Sequence, residues 1–432
     1  MPTSEALNPL RTQIADMNVG DLAKQFGTPV YVYDAAKIVE RVNDLKQFDV
    51  IRYAQKACSN IAILDLVRRH GVVVDAVSAG EVQRALAAGY KAGVRGQESG
   101  AGSKGHAEIV YTADIFDRES LELVIELGIP VNCGSPDMID QLGERAPGRE
   151  ITLRINPGFG HGHSQKTNTG GEQSKHGIWH AQLDDCLRRA DQHGLSVSGL
   201  HMHIGSGTDL AHLSQVCGAM ERAARTIGRT ITTISAGGGL PTPYRAEQTY
   251  VDLAQYFELW DATRKRLESG FEHKVALEIE PGRYLVAESG YLVSEIRAIK
   301  QMGGNTFYLL DAGFNNLARP ILYGAYHPMA ICPASGGGSK TMHDVVVGGP
   351  LCESGDIFTQ EEGGFVSKRS LPVAAVGDYL VIERAGAYGA VMASNYNSKP
   401  FAAEVLMMNG QAHLIRARQT VEDIIRSERI PA

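Results

Sequence analysis

A lysine lies in the segment YAQKACSN, directly after a short run of apolar and β-branched residues. If that run is a buried strand, the ammonium group of Lys56 loses much of its hydration, which costs on the order of several kcal/mol or lowers its pKa. Formation of an imine with an aldehyde cofactor removes this charge. Lys56 is therefore a candidate for covalent attachment of such a cofactor. The alternative is a salt bridge to a neighbouring strand, which is the more common arrangement for an isolated lysine.

Two segments have the composition of a phosphate cradle. Gly237, Gly238 and Gly239 follow a predicted strand in SAGGGL, and Ser206 lies in HIGSG. Backbone N–H groups in such loops can approach an anion closely, because no large side chain intervenes. A run of three glycines alone is more often a simple turn. The predicted position of the triplet in the fold favours the cradle.

An acidic residue and a histidine are further candidates for contacts with a cofactor. Glu280 ends an apolar run in the segment EPGR, and a buried carboxylate needs a cationic partner. A protonated pyridine nitrogen is one candidate partner, and the nearby Arg283 is the other. His203, in HMHIGSG, is a candidate to stack its imidazole on a cofactor ring, although a single strand-end histidine is more often structural.

The elements that must position these residues follow a repeating pattern. From about residue 49, short β-branched runs alternate with amphipathic helical stretches. The predicted strands are 49–54, 72–77, 108–112, 129–133, 150–156, 195–204, 230–235 and 274–280. Eight βα units predict a closed (β/α)8 barrel, with the reacting groups at the strand C-termini and a frequent phosphate site after the seventh strand. Further polar residues fall at these ends, namely Asp75, Ser78, Arg154 and Asn156.

The pattern changes after Gly290, where strand-like segments are separated by Gly, Pro and Asp turns and helices are few. We therefore predict an α/β protein in which a (β/α)8 barrel over 35–290 is joined to a β-rich domain. The early run 28–33 precedes the first barrel helix and is assigned to the same sheet. The β-rich domain is then discontinuous, over 1–34 and 291–432.

The composition favours small-molecule chemistry over binding to nucleic acid or to a membrane. The formal charge is −7, from 42 basic and 49 acidic residues, and the two signs are interspersed. The chain begins without a signal or transit pattern, and it has no uninterrupted apolar run of about eighteen residues. Its six cysteines form no C-x-x-C pair, which fits a reducing compartment. We therefore expect a cytoplasmic protein without a structural metal site.

Two loops are distinguished by length and composition. The segment 91–107 is rich in Gly and Ser and is predicted to be a surface insertion. The segment 157–178 follows the fifth strand, so it lies over the predicted mouth, where long loops serve binding or closure. Its histidines, His161, His163 and His176, invite a metal interpretation, but no set of carboxylates accompanies them. A lid over the substrate is the better interpretation.

Nine segments in unbroken order resemble the diaminopimelate decarboxylase family of fold-type III pyridoxal-phosphate enzymes, which is related to alanine racemase and ornithine decarboxylase. They are YAQKACSN, VDAVSAGE, NPGFGHGHSQKTNTGGEQSKHGI, HMHIGSG, SAGGGL, EPGR, RPILYGAYH, GPLCESGD and GAYGAVMASNYNSKP. The resemblance runs from about Thr28 to Arg418 and implies pyridoxal 5'-phosphate as cofactor. It implies that Lys56 forms the Schiff base, that His203 stacks on the ring, and that Glu280 faces the pyridine nitrogen.

The same resemblance implies further cofactor contacts. Ser206, the glycine triplet 237–239 and Tyr388 hold the phosphate. The remaining implied contacts to the cofactor are Asp75, Pro281, Gly282 and Arg283.

Substrate contacts implied by the resemblance lie mostly beyond the barrel. Arg283 and Arg319 bind carboxylate as bidentate forks. Tyr323 and Tyr388 contribute hydrogen bonds, and Glu353 meets the distal ammonium group.

A cysteine is implied in the protonation step. Cys352 is the proton donor to the carbanion, and the alternative for a single cysteine is a small buried hydrophobic residue. In this family the segment with Cys352 and Glu353 enters the partner's site, which implies a homodimer with shared active sites.

The reaction implied is decarboxylation of meso-2,6-diaminopimelate to L-lysine and carbon dioxide, the last step of lysine biosynthesis. A decarboxylase of lysine, ornithine or arginine is the nearest alternative, but it needs an acidic distal pocket where this chain has Arg319. Alanine racemase needs a tyrosine base and has no place for the CESGD segment. A non-catalytic carrier of the cofactor is the alternative from another class, and it should consist of a barrel alone.

Overall fold

A computed structural model of the protein describes residues 8–93, 106–160, 170–203 and 209–431. Most of the predicted insertion 91–107 lies outside these residues, as do His161, His163 and Ser206. The described residues form two compact units. The first is drawn from Val39–Pro241 and Val251–Leu285, and the second from Pro2–Ile38, Thr242–Tyr250 and Val286–Ala432.

Short elements precede the barrel. They are strands β1 (Gln13–Ile14) and β2 (Met17–Asn18), helix α1 (Val19–Phe26), strand β3 (Val30–Asp34) and helix α2 (Ala35–Asn43). Helix α1 begins after Asn18, whose side chain accepts hydrogen bonds from the N–H groups of Gly20 and Asp21. Such caps stabilise a helix because the first N–H groups have no partner within it.

The first unit is a closed barrel of alternating strands and helices. Its strands are β4 (Val50–Ala54), β5 (Val73–Ala76), β6 (Ile109–Ala113), β7 (Val131–Cys133), β8 (Glu150–Asn156), the short β9 (Ile178–Trp179), β10 (Ser196–His201), β11 (Thr233–Ser235) and β12 (Ala276–Ile279). Its helices are α3 (Ile61–Arg69), α4 (Ala79–Ala87), α5 (Arg118–Glu126), α6 (Pro136–Arg145), α7 (Leu183–Gln192), α8 (Leu210–Ile227) and α9 (Leu253–Phe271), and α10 (Arg283–Val286) follows the last strand.

The strands pair in parallel and the barrel closes between β12 and β4. Its eight principal strands confirm the predicted (β/α)8 architecture, and β9 is a short addition beside β8. The strands are buried Val- and Ile-rich runs, as expected where helices cover a parallel sheet. The interior also holds a buried ion pair, in which Nε and Nη2 of Arg52 on β4 donate to the carboxylate of Glu278 on β12 at 3.2 and 3.1 Å.

The second unit is β-rich. After the barrel it contains β13 (Gly290–Met302), β14 (Asn305–Leu310), α11 (Arg319–Tyr323), β15 (Met329–Cys332), β16 (Met342–Gly348), β17 (Arg369–Pro372), β18 (Tyr379–Ile382), β19 (Ala403–Met408), β20 (Gln411–Arg416) and α12 (Val421–Ile425). The main sheet has the order β17-β16-β14-β13-β3-β19-β20, and β18 links β13 to β15.

The long strand β13 organises this sheet. Its first part pairs with β3 and β18, a register shift lies between Ile296 and Ala298, and the part that follows pairs with β14. The early strand β3, which matches the run predicted at 28–33, lies between β13 and β19. Val30, Val32 and Val405 are fully buried in the core of this unit. The N-terminal strand therefore belongs to the β-rich sheet by direct pairing.

The two units differ from the predicted domain ranges at both barrel boundaries, where residues 35–38 and 286–290 belong to the second unit, and at one internal segment. The ranges 35–290 and 1–34 with 291–432 place residues 242–250 in the barrel, whereas the structure groups Thr242–Tyr250 with the second unit. Side-chain packing explains this, because the ring of Tyr244 contacts His327 edge-on at a centroid distance of 5.3 Å. The guanidinium of Arg245 likewise lies 4.1 Å above the ring of Tyr326.

Within the part of the chain that is described, no helix combines the length and the apolar character that a membrane span requires.

Candidate active site

Lys56 lies just beyond the end of β4, in a 3-10 turn formed by Gln55–Ala57. Its neighbours in the turn are buried, and the side chain of Gln55 donates to the carbonyl oxygen of Asp75 at 3.3 Å. Lys56 itself is exposed. The expectation of a buried ammonium group is therefore wrong, because the rigid turn directs this side chain out of the strand packing. The structure presents a lysine amine on a fixed support at the C-terminal end of a barrel strand.

Glu280 follows β12 and is held by two groups, one from the adjacent strand β11 and one from β10, the strand beyond it. Oε2 of Glu280 lies 2.8 Å from Nε2 of His201, and Oε1 accepts a hydrogen bond from Oγ of Ser235 at 2.9 Å. Burial alone would raise the pKa of Glu280, but the field of His201 and these contacts outweigh it and lower the pKa to about 2. The carboxylate is therefore kept ionised in a buried position.

His203 lies two residues beyond His201 and is fixed by the glycine loop. The N–H of Gly238 donates to Nδ1 of His203 at 2.9 Å, so this nitrogen carries a lone pair. Burial lowers the pKa of His203 well below its usual range, and the positive charges of Arg154 and Lys56 lower it further. Both observations describe a neutral imidazole with its proton on Nε2.

The glycine triplet is tightly packed, and its backbone groups form hydrogen bonds with other protein atoms. The N–H of Gly237 donates to Oγ of Ser235 at 3.1 Å, and the carbonyl oxygen of Gly237 accepts from the N–H of Glu280 at 2.8 Å. A Cβ atom on Gly238 would lie 2.5 Å from the carbonyl oxygen of Glu280. The prediction of three N–H groups turned to an anion therefore needs correction, because those of Gly237 and Gly238 have protein partners.

Asp75 is the penultimate residue of β5 and is buried, within the electrostatic influence of Glu280 and Lys56. Burial raises its pKa well above the usual range, and the negative charge of Glu280 acts in the same direction. Among the described residues Oδ1 of Asp75 has no hydrogen-bond partner. A buried polar atom in this state indicates a place where a further group can bind.

The EPGR turn packs against the end of the first barrel strand. The carbonyl oxygen of Pro281 accepts from the N–H of Ala54 at 3.1 Å. A Cβ atom on Gly282 would lie 3.3 Å from both Ala54 and Ala57, so glycine allows the close approach. Arg283 is the first residue of α10 and is half-buried. The turn thereby fixes the end of β12 to the strand that precedes Lys56.

The long loop after β8 is attached to the barrel at both of its ends. Oδ1 of Asn156 accepts from the N–H groups of Gly158 and Gly171 at 3.1 and 2.9 Å. At the far end, Nδ1 of His176 lies 2.7 Å from Oδ2 of Asp114. The described part of the chain contains no group of three His, Cys, Asp or Glu residues that could hold a metal ion. His176 here takes part in a contact that anchors the loop.

In the second unit, Arg319 begins α11 and is 7% exposed. Its Nη1 lies 2.9 Å from Nε2 of His327, and its guanidinium carbon lies 5.0 Å from the centre of the Tyr244 ring. Tyr323 ends the same helix and is half-buried. The unit therefore contains a buried cation that contacts an imidazole nitrogen and an aromatic ring.

The other predicted residues of this unit are more accessible. Cys352 and Glu353 are exposed, and the backbone N–H of Cys352 donates to Oδ1 of Asn397 at 2.8 Å. Exposure excludes the alternative of a small buried hydrophobic residue for Cys352 in this chain. Tyr388 is half-buried and has a φ of 56°, a conformation that is uncommon for tyrosine.

Sequence reasoning missed the residues that hold these groups in place. His201 and Ser235 were not predicted as partners of Glu280, and Tyr244 and His327 were not predicted beside Arg319. One signal was present, since residues two apart on a strand share a face, so the spacing HMH places His201 on the side of His203. Their rings lie 6.5 Å apart with a 24° interplanar angle.

Comparison with known families agrees with this arrangement. The model of the pyridoxal-dependent decarboxylase family, pyridoxal binding domain, matches residues 35–287. The match covers more than half of the chain and defines its class as the pyridoxal-dependent decarboxylases.

Individual relatives narrow this class. The chain is 54% identical over 419 residues to diaminopimelate decarboxylase of Escherichia coli (strain K12), covering 96% of this chain and 97% of that protein. It is also 54% identical over 410 residues to diaminopimelate decarboxylase of Streptomyces coelicolor, covering 95% and 91%. The chain therefore belongs to the diaminopimelate decarboxylase family, and the predicted resemblance is confirmed.

Solved structures give the same result. A crystal structure of diaminopimelate decarboxylase superposes with a TM-score of 0.90 at 54% identity, covering 95% of this chain and 96% of that one. The enzyme from Helicobacter pylori, crystallised with L-lysine, superposes with a TM-score of 0.83 at 28% identity, covering 95% and 99%. The predicted cofactor is confirmed at the level of the family.

Pyridoxal phosphate has three groups that a protein can bind: the aldehyde, the pyridine nitrogen and the phosphate. The residues of the barrel unit fit the first two. The exposed amine of Lys56 suits the aldehyde, and the buried, ionised Glu280 suits a protonated pyridine nitrogen. The phosphate is less fully accounted for, because two N–H groups of the glycine loop are engaged and Ser206 lies outside the described residues.

Proposed function

We propose that this enzyme removes one carboxylate of meso-2,6-diaminopimelate as carbon dioxide and yields L-lysine. The observation that carries the proposal is the buried guanidinium of Arg319, which suits the second carboxylate of a dicarboxylic substrate. A decarboxylase of lysine, ornithine or arginine requires an acidic group for the distal amine. The 54% identity to diaminopimelate decarboxylases over nearly the whole chain supports the same choice.

The residues of the barrel hold the cofactor. Lys56 attaches it and afterwards keeps an amine at the reacting centre, which can accept or return a proton. Glu280 holds the proton of the pyridine nitrogen, because its own pKa is too low to take that proton away. A neutral His203 would support the ring face without adding a competing positive charge. When bound, pyridoxal phosphate supplies the electron sink that stabilises the carbanion left by carbon dioxide.

Further cofactor contacts are proposed on the strength of the resemblance. They are Asp75, Ser206, Gly237, Gly238, Gly239, Pro281, Gly282, Arg283 and Tyr388. For Gly237 and Gly238 the structure supports a packing role, since their N–H groups bind protein atoms.

The residues of the second unit recognise the substrate and complete the reaction. Arg319 binds the distal carboxylate and Glu353 the distal ammonium, while Tyr323 and Tyr388 contribute further contacts. Arg283 contributes another contact from the barrel unit. The thiol of Cys352 gives a proton to the carbon that has lost its carboxylate, so the carbon–carbon bond is replaced by a carbon–hydrogen bond. Lys56, Cys352 and His203 are thus the proposed catalytic residues. Binding both ends of the substrate selects against amino acids without a distal carboxylate, because they would lose the contact with Arg319.

A homodimer and a cytoplasmic location form part of the proposal. Cys352 and Glu353 are exposed, which supports their use in the active site of a partner subunit. All six cysteines are free, which is in keeping with a reducing compartment. Mixing a Lys56→Ala variant with a Cys352→Ala variant tests the shared site. Mixed dimers with one intact site should recover part of the activity, and no recovery on subunit exchange would contradict sharing.

The substrate is tested by following carbon dioxide release from the holoenzyme. Separate incubations contain meso-diaminopimelate, L-lysine, L-ornithine and L-arginine. We expect release from meso-diaminopimelate alone. Release from any of the other three without release from meso-diaminopimelate would replace the proposed substrate by a basic amino acid.

A further inference from the structure

Arg319 is held by two side chains that no sequence motif assigned to it. The guanidinium is buried, with Nη1 2.9 Å from Nε2 of His327. Its central carbon lies 5.0 Å from the centre of the Tyr244 ring. Tyr244 and His327 also contact each other, edge to face, with an interplanar angle of 83°. The three side chains form one packed cluster within the second unit.

The hydrogen bonds of His327 fix its protonation. Nδ1 lies 3.1 Å from the backbone carbonyl oxygen of Glu383, and a carbonyl oxygen only accepts, so Nδ1 carries the proton. A guanidinium only donates, so Nε2 accepts from Arg319. His327 is 1% exposed and neutral in this arrangement.

The support behind His327 is rigid. Glu383 directly follows β18, and its N–H donates to the carbonyl oxygen of Pro328 at 2.9 Å. Strand β18 pairs with β15 immediately beyond, through Met329 and Ile382. The acceptor for His327 is therefore held by the sheet, and the direction of the imidazole is transmitted from the sheet to the guanidinium.

We propose that His327 and Tyr244 are positioning residues that aim the Arg319 guanidinium, and that they thereby set the preference for substrates with a distal carboxylate. The proposal rests on the function proposed above for Arg319. A neutral nitrogen acceptor and a ring face orient a guanidinium without neutralising its charge. A carboxylate in the same place would compete with the substrate for the cation.

Three substitutions of His327 separate the contribution of its acceptor from polarity and packing. His327→Gln keeps an acceptor near the position of Nε2. His327→Asn is also polar, but its shorter side chain reaches only the position of Nδ1. His327→Leu removes both the acceptor and the polarity of the side chain. At Tyr244, Phe keeps the ring and Leu removes it.

The difference in binding between two inhibitors measures the contribution of the distal carboxylate. L-lysine retains that carboxylate, whereas 1,5-diaminopentane has the same amines and no carboxylate. For His327→Leu and His327→Asn holoenzymes we expect the Ki of L-lysine and the KM of meso-diaminopimelate to rise roughly 10-fold, the loss of one charge-assisted hydrogen bond. The kcat and the Ki of 1,5-diaminopentane should stay within about threefold, because an orienting contact affects binding more than chemistry.

The conservative variants provide the control. His327→Gln should recover most of the affinity for L-lysine, and Tyr244→Phe should bind it as the wild type does, whereas Tyr244→Leu should bind it more weakly. If His327→Asn and His327→Gln bind L-lysine equally well, the positioning role is overturned. If the substitutions weaken the binding of both inhibitors equally, the residues act in folding alone, and the positioning role is also overturned.

An Arg319→Gln variant distinguishes failure of this inference from failure of the proposed function. If Arg319→Gln weakens L-lysine binding and His327→Leu does not, only the positioning role fails. If Arg319→Gln leaves L-lysine and 1,5-diaminopentane unchanged, the distal-carboxylate role of Arg319 fails, and the positioning role fails with it.

Discussion

Each of the two units contains a buried charged side chain, and the units hold these side chains in different ways. Glu280 in the barrel lies beside His201 and Ser235, both of which favour its ionised form. Arg319 in the second unit lies beside a neutral imidazole acceptor and an aromatic ring. The difference follows from their chemistry. A buried carboxylate tends to take up a proton, so its charge needs stabilising partners. A guanidinium remains protonated, so its neighbours need only orient it.

This comparison assigns different duties to the two charges. In the proposed function, Glu280 acts on the cofactor, where electronic effects change the rate of bond cleavage. Arg319 is proposed to act on the end of the substrate that does not react, where its contribution would be to binding. Substitutions in the two places should therefore alter different kinetic parameters.

The largest effect is expected for Glu280→Gln. The amide has nearly the same shape but no negative charge, so the proton on the pyridine nitrogen is no longer stabilised. We expect kcat to fall about 10²- to 10³-fold, as for the loss of one preorganised electrostatic contact. Steady-state kinetics of holoenzyme with measured cofactor content check this. A kcat within a few fold of the wild type would show that the carboxylate has no such duty.

Arg319→Gln should have a smaller effect and on a different parameter. Loss of the charge-assisted contact to the distal carboxylate should raise KM for meso-diaminopimelate roughly 10- to 100-fold. Cofactor affinity should be unchanged, because the proposed role of Arg319 is in substrate recognition. If Arg319→Gln instead lowers kcat and leaves KM unchanged, the proposed difference between Glu280 and Arg319 is contradicted.

The pH dependence of the barrel site should respond to His201. The pKa of Glu280 is about 2, below the ordinary value, so the stabilisation from its ionised form is complete above the ordinary value and is lost as the pH falls towards 2. His201→Leu raises this pKa, so cofactor affinity should be lost at a pH higher by on the order of one unit.

The control for this prediction is a histidine far from the cofactor residues. His193→Leu removes a partly exposed contact, 3.3 Å long, to Asp140. Titrations of cofactor binding against pH should give the wild-type curve for this variant. The same curve for His201→Leu would exclude His201 as the residue that keeps Glu280 ionised.

The smallest effect is expected from the glycine loop. In Gly238→Ala the new methyl group would meet the carbonyl oxygen of Glu280 at 2.5 Å, so the backbone must shift, at a cost of about 1–3 kcal/mol. Gly80→Ala is the matched control, because the nearest atom there is 3.9 Å away and the residue lies in helix α4. Thermal unfolding should show a lower Tm for the first variant only. An equal Tm for both variants would mean that the loop accommodates the methyl group without a steric clash.

The barrel was predictable because its strands are buried on both faces and therefore form compact apolar runs. Strand β8 was predicted with its observed ends, and β4 was displaced by one residue at its start. The residues at the ends of these strands were predictable for the same reason, since the fold brings strand C-termini to one rim. Lys56 and Glu280 were found in this way.

The contacts between these residues were not predictable. Arg283 was weighed as the partner of Glu280 because it is near in sequence, whereas Ser235 contacts Glu280 from β11 and His201 contacts it from β10. Tyr244 and His327 are far apart in the chain and meet at Arg319 only in the folded unit. Such choices depend on side-chain packing, which a single sequence does not encode in its local pattern.

The most direct test of the central claim is to find the residue that carries the cofactor. The holoenzyme is reduced with borohydride, digested, and its peptides are mapped by mass spectrometry. We predict that the reduced cofactor is attached to Lys56 in the peptide containing YAQKACSN. Attachment to another lysine, or no attachment at all, would contradict the account.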